Sequence, residues 1–283
     1  MGNPLRTKTV AIKLRTPLVT ALLSVCTALP IHSHNDYLQD APLFTALDVG
    51  ILSVEADVWL RDGQLYVAHT EGDIDTSKTF QSLYLQPILD IIEGKRDSVT
   101  KISVDSPLQL LIDFKSNGDQ SYGPVLQALS PLRDAGHLTT FKDGQLVQGA
   151  VTAVGTGNTP LDKVLAATPR DLFYDAHIQD INDTPPAEGV AWGPEIAPLA
   201  SANFPDVNGI LGEAYTFITG NVMGSTHDKL IDLIGTAHSK NMKSRFYGAQ
   251  DRDGVYLEFL RDGSDYINAD RLEYVKDLIL NNS

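Results

Sequence analysis

Ser53-Val54-Glu55-Ala56-Asp57-Val58-Trp59 places two acids, two positions apart, inside a run that is otherwise apolar and β-branched. Extended backbone sends successive side chains to opposite faces, so Val54, Ala56 and Val58 share one face while Glu55 and Asp57 share the other. Two like charges on a covered face are costly, and a cation held between them relieves the cost; paired carboxylates are the ligands that hard Mg2+ or Ca2+ requires. An exposed edge strand with two solvated acids is the competing reading. Residues 108–115, LQLLIDFK, repeat the pattern. A strongly apolar strand ends there in Asp113 and Lys115, again on one face: Asp113 can complete a metal site and Lys115 can hold a phosphate oxygen. An ordinary strand-terminal ion pair would look the same.

Working outward, these two strands belong to a longer alternation. Short β-like runs fall at Leu29–His34, Ser53–Trp59, Leu108–Phe114, Ala150–Gly155, Leu172–Asp175, Gly189–Trp192, Lys243–Tyr247 and Asp265–Asn268. Between them lie helix-like stretches at Pro42–Val49, Leu83–Glu93, Gly123–Asp134, Thr226–Ser239, Val255–Leu260 and Asp270–Leu280. The first three are stopped by Gly50, Gly94 and Gly136, in the place where a helix end favours glycine. Eight strands alternating with helices in about 250 residues predict an α/β fold of the (β/α)8 TIM-barrel type rather than an open doubly wound sheet. No Gly-rich dinucleotide or phosphate loop follows the first strand. Asp62-Gly63 and Asp143-Gly144, flanked by apolar alternation, predict two inserted hairpins.

The 283 residues suit one single-core domain, and the expected division is a leader over 1–28 and a barrel over 29–283. The net charge of −14 sets the general surface against a nucleic acid backbone, so nucleic acid is not an expected partner. Cys26 is the single cysteine, which excludes an intramolecular disulfide, a Cys-ligated zinc site and an iron–sulfur cluster; a metal must use oxygen and imidazole ligands. Arg6, Lys8, Lys13 and Arg15 precede the first acid, Asp36, and an apolar run over 17–31 follows them. That order predicts a secreted or membrane-anchored protein, with a mitochondrial transit segment as the alternative. Oligomeric state is open.

The densest polar cluster, His32-Ser33-His34-Asn35-Asp36-Tyr37, falls where the first strand should end, which in this type of barrel is the catalytic face. His69 follows the short strand beyond Asp62-Gly63 and can return to the mouth above Glu55 and Asp57. Two imidazoles flanking a metal-bound anion make a general acid/base pair near neutral pH. Arg245 and Tyr247 alternate with Lys243 on a late strand and are candidates for the substrate pocket, although a surface strand explains the alternation equally. His177, at another strand end, is a weaker candidate for the mouth.

The combination of His34-Asn35-Asp36-Tyr37-Leu38, Glu55-x-Asp57 and His69 resembles the catalytic core of the phospholipase C-like phosphodiesterases. The strings HSHNDY, SVEADVWL, GQLYVAHT, TFQSLYLQPILDII and VGTGNTPL are similar to the fungal altered inheritance of mitochondria protein family within that superfamily. The resemblance implies a PLC-like barrel with His34 as a general acid/base and His69 as the second catalytic histidine. It implies one divalent cation, Mg2+ or Ca2+, held by Asn35, Glu55, Asp57 and Asp113. Lys115 falls where related sphingomyelinase D-like and glycerophosphodiesterase-like enzymes place a site lysine. His32 has no clear counterpart in the motif; it is expected, with Arg245 and Tyr247, to line the substrate from its place on the strands rather than from the resemblance. The His-Arg pair of glycerophosphodiester members is absent. The implied activity is metal-dependent phosphoric diester hydrolysis of a small-molecule or lipid phosphodiester, with peripheral membrane contact. Two other readings compete: an amidohydrolase-like site using His32-x-His34 and His177, and a barrel that binds a lipid or sugar phosphate without turnover.

Overall fold

A computed structural model describes residues 28–282, so the expected leader lies outside the described residues except for Ala28. Among the described residues, eleven strands run in chain order: β1 Ile31–Ser33, β2 Ser53–Arg61, β3 Gln64–Val67, β4 Leu108–Phe114, β5 Thr140–Lys142, β6 Gln145–Val147, β7 Val151–Gly157, β8 Leu172–His177, β9 Leu199–Asn203, β10 Lys243–Tyr247 and β11 Tyr266–Ala269. Eight of them, β1-β2-β4-β7-β8-β9-β10-β11, pair in parallel and in that order. The sheet closes on itself because β1 pairs with both ends of the series, Ile31 opposite Ile267 and Ser33 opposite Val54. The expected (β/α)8 barrel is the fold.

Side-chain alternation builds two apolar layers. Val54, Ala56, Val58, Leu110, Ile112, Phe114 and Ala153 point outward and are fully buried beneath the surrounding helices. Leu111, Val154, Phe173, Leu199 and Tyr266 point inward and fill the lumen as a separate cluster. Toward the carboxyl ends of the strands this packing gives way to ionisable groups: Glu55 is in register with Leu111, and Asp57 with Asp113. Lumen and site are therefore successive floors of one barrel.

Both expected hairpins form, β2–β3 and β5–β6. Asp62 and Gly63, and Asp143 and Gly144, all have φ between 51° and 79°, as a two-residue turn that follows the twist of its strands demands. The sixth barrel strand is not Gly189–Trp192. Those residues belong to the β8–β9 connection, where Trp192 stacks on Tyr174 at 6.2 Å and donates to the carbonyl of Thr184. The strand in that place is β9, Leu-Ala-Ser-Ala-Asn, whose small residues carry no β-branched signal. The helix that follows it, Phe204–Thr219, was also not expected; Gly209 interrupts it with φ 70° and ψ 171°. No helix among the described residues is long and apolar enough to cross a membrane.

Candidate active site

The strand ends bring together His34, Asn35, Glu55, Asp57, His69, Asp113, Lys115, Arg245 and Tyr247, with Thr156 and Gly157, around one cavity of about 220 Å³. Glu55, Asp57 and Asp113 present carboxylate oxygens within 4.8 Å of one another. Lys115 Nζ lies 2.9 Å from Asp57 Oδ2 and 2.6 Å from Asp113 Oδ2. Gly157 allows that approach: its φ is +60°, and a Cβ there would lie 2.0 Å from Asp113 Oδ1.

Asn35 occupies the left-handed region at φ 46°, which its short polar side chain tolerates, and its backbone N–H donates to Glu55 Oε2 at 3.1 Å. Its side-chain oxygen accepts from the Tyr37 hydroxyl at 2.6 Å. The same hydroxyl lies 2.8 Å from Asp57 Oδ2 and 3.1 Å from His69 Nδ1. One phenol proton serves one oxygen at a time, so Tyr37 links Asn35 or Asp57 to His69 as donor while accepting from the imidazole N–H. Burial first, and then the charge of Asp57, push the Tyr37 hydroxyl well above its usual range, so it stays protonated.

His34 Nδ1 is 2.8 Å from Asp270 Oδ1, and its Nε2 is 3.8 Å from Glu55 Oε2. The Asn35 amide also lies 3.1 Å from Nδ1, but the shorter contact to a charged acceptor assigns the Nδ1 proton to Asp270 and leaves Nε2 facing the cavity. Burial opposes protonation of this imidazole, yet the hydrogen bond with Asp270 and the charges of Glu55 and Asp270 outweigh it, and its pKa is raised. His69 is half-exposed, with Nδ1 3.8 Å from Asp57 Oδ2. The β2–β3 hairpin returns it to the mouth, held by Trp59 Nε1 donating to the Ala68 carbonyl at 2.9 Å and by Ala68 N–H donating to the Asp57 carbonyl.

Beneath the acids, Arg245 is 2% exposed. It donates to Ser201 Oγ and Asn268 Oδ1 at 3.1 and 3.2 Å and lies 3.5 Å from Asp175 Oδ2 and 3.6 Å from Glu55 Oε1. Its guanidinium thus forms part of the cavity floor, with Tyr247 beside it at the rim. His32 is corrected: it does not line the cavity. It points into the lumen one floor below, fully buried, with Nδ1 2.8 Å from Ser53 Oγ, and burial with the nearby Arg245 charge drives its pKa well down. His177 pairs with Asp180 at 2.8 Å outside this group.

The charge balance decides what the site can hold. Among the permanently charged side chains, Glu55, Asp57, Asp113 and Asp175 meet Lys115 and Arg245, two cations against four acids, while His34 and His69, each 3.8 Å from one of these acids, add charge only when protonated. Lys115 and Arg245 by themselves leave the mouth with a surplus of negative charge. Asp57 Oδ1 is buried without a hydrogen-bond partner, and burial followed by the Glu55 charge pushes this carboxyl up to about 7. A divalent cation bound by oxygen ligands fits both the surplus charge and the free oxygen. Tyr37 and Asp270 were missed as site residues. Tyr37 stood inside the quoted cluster, and Asp270 follows the last strand, which barrel closure sets beside the first.

The model of the AIM6-like phosphodiesterase domain matches residues 20–175, a span that holds every site group from His34 to Lys115. Altered inheritance of mitochondria protein 6 homolog of Arthroderma benhamiae is 36% identical over 199 residues, 64% of this chain and 61% of its own length. Altered inheritance of mitochondria protein 6 of Lachancea thermotolerans is 32% identical over 286 residues, 88% of this chain and 65% of its own. The chain thus spans less than two thirds of the length of these two relatives. A glycerophosphodiester phosphodiesterase from Parabacteroides distasonis superposes with a TM-score of 0.48 at 12% identity, covering 89% of this chain and 97% of that one.

Proposed function

Because this chain belongs to the family of AIM6-like phosphodiesterase domains, we propose that it is a metal-dependent phosphoric diester hydrolase acting on a lipid-derived or other small phosphodiester. The convergence of Glu55, Asp57 and Asp113, with Asp57 Oδ1 buried and unpartnered, carries the reading. A Mg2+ or Ca2+ ion held by these three carboxylates, with Asn35 at its edge, would draw charge from a phosphoryl oxygen. His34 Nε2 takes the proton of the attacking oxygen as its bond to phosphorus forms. His69 gives a proton to the oxygen that leaves as the other P–O bond breaks. Asp270 steadies the resulting imidazolium of His34, Tyr37 orients His69, and Lys115 turns a free N–H toward the phosphate. The attacking oxygen is water, or a hydroxyl of the substrate itself when the product is a cyclic phosphate.

The amidohydrolase-like alternative loses its support, since His32 and His177 do not reach the cavity: His32 lies in the lumen below it and His177 pairs with Asp180 outside it. Peripheral contact with a lipid surface belongs to the proposal, because a bilayer-borne diester must present its phosphate to the cavity; Leu38, four residues after His34, is an exposed apolar side chain. The mitochondrial reading of the leader draws support from the names of the relatives.

The test incubates the protein with glycerophosphodiesters, lysophospholipids, sphingomyelin and phosphoinositides in Mg2+, Ca2+ or chelator, identifying products by mass spectrometry. We expect cation-dependent product that His34→Ala and His69→Ala each reduce by about 10²–10⁴-fold. A folded, cation-binding protein that turns over none of the panel would sink the reading in favour of a binding-only barrel.

A further inference from the structure

A second group of ligand-type atoms converges on the outside of the barrel, away from the cavity. Helix Gly224–Ser239, which precedes β10, packs against helix Asp253–Asp262, which follows it. His227 lies in the first turn of the former, and Glu258 and Asp262 are four residues apart on one face of the latter. His227 Nδ1 is 2.9 Å from Glu258 Oε1 and 2.9 Å from Asp262 Oδ1. All three residues present ligand atoms within 4.8 Å of one another.

These contacts are not ordinary hydrogen bonds. Nδ1 of His227 and both carboxylate oxygens of Asp262 are buried and have no partner of hydrogen-bond geometry, and the Asp262 side chain is only 1% exposed. A buried carboxylate without a donor costs several kcal/mol of lost solvation, on the order expected for an unpaired ion. Two carboxylate oxygens facing one imidazole nitrogen need positive charge among them, either a proton on Nδ1 or a bound cation; a ring N–H points in one direction, and neither oxygen lies where it would accept with hydrogen-bond geometry. Arg261 does not supply it: it bonds the other Glu258 oxygen, Oε2, at 2.7 Å and leaves Oε1 aimed at the histidine. Ligands 2.9 Å apart subtend about 90° at a cation roughly 2.05 Å from each, the cis arrangement of a five- or six-coordinate site.

We propose that His227, Glu258 and Asp262 form a second divalent-metal site, suited to a transition metal that accepts cis nitrogen and oxygen ligands, such as Co2+, which clamps these two helices across β10. An imidazole with two carboxylates suits such ions, whereas the all-oxygen cluster of Glu55, Asp57 and Asp113 suits Mg2+ or Ca2+. The clamp braces the helices on either side of the strand that carries Arg245, a structural role separate from the phosphodiesterase reading.

Chelator-treated full chain carrying Asp57→Asn and Asp113→Asn, so that the cavity holds no cation, is titrated with Co2+. Visible absorbance and bound cobalt per chain are the readouts. We expect one Co2+ per chain with ligand-field bands, and a rise in Tm of roughly 5 °C at saturation. His227→Asn should abolish the bands, and Glu258→Gln should weaken binding at least tenfold, each with an unchanged circular dichroism spectrum. Absence of cobalt binding in the Asp57→Asn, Asp113→Asn chain overturns the proposal. So does equal binding after His227→Asn; should that variant not fold, unaltered binding in Glu258→Gln does the same.

Discussion

At the scale of single residues, the site depends on partners that set proton positions. Asp270 raises the pKa of His34 against the opposing effect of burial. A general base works only when deprotonated, so the acidic limb of the rate profile should report this group. Asp270→Asn should move that limb to lower pH while lowering kcat, because the imidazole loses both its counter-charge and its fixed tautomer; a limb that stays in place would remove His34 from the role of base. Asp57 yields a second prediction. Its carboxyl titrates near 7 in the fold against 3.8 for the ordinary group, so without metal the folded chain holds an extra proton between those values. Stability from this group therefore falls as pH rises from about 4 to about 7. In chelator, the Tm difference between the native chain and Asp57→Asn should shift against the native chain from pH 5 to pH 8, and saturating Mg2+ or Ca2+ should reverse the shift. A difference independent of pH would show that Asp57 is not strained. Glu55, Asp57, Asp113, Lys115, His34 and His69 were legible because two-residue spacing and strand-end placement are local signals. Tyr37 and Asp270 act through contacts that only barrel closure creates, 20 residues from Asp57 and 236 from His34.

At the scale of elements, β7 shows how backbone shape serves chemistry. Its last residue, Gly157, has φ +60° and leaves room for Asp113. Gly157→Ala would add left-handed strain of roughly 1–2 kcal/mol and push the Asp113 carboxylate aside. We expect cation affinity to drop about 10–100-fold, read as a shift in the Mg2+ or Ca2+ dependence of kcat/KM, with the fold kept. An unchanged cation dependence would show that Asp113 is not a ligand. The same scale explains the misplaced sixth strand. Val190 and Trp192 carry strand propensity yet stay outside the barrel, whereas Leu199–Asn203 has little and is ordered by its neighbours, pairing with β8 and β10 on either side. Propensity measures fit to a pleated, half-buried surface; a strand flanked on both sides in a closed barrel needs small outward residues, here Ala200 and Ala202, beneath the helices.

At the scale of the whole molecule, the net charge of −14 opposes the approach of an anionic diester. Screening that repulsion should help capture, so kcat/KM for an anionic substrate should rise as ionic strength goes from about 0.05 to 0.15 M, over which the Debye length shortens to about 8 Å. A steady fall would mean that the cation-loaded mouth attracts substrate beyond the reach of the surface charge. The barrel itself was legible because eight alternations of β and α signals average over local errors, and one displaced strand leaves the count unchanged. The charge surplus inside the mouth was not, since it required knowing that Arg245 and Lys115 are both spent on carboxylates. The most direct test takes the diester turned over fastest in the panel and follows hydrolysis by chelator-stripped native chain and by Asp57→Asn as Mg2+ or Ca2+ is restored. A catalytic cation held by Asp57 requires a saturable return of activity in the native chain and none in the variant; equal turnover with and without the cation, or full recovery in Asp57→Asn, would rule it out.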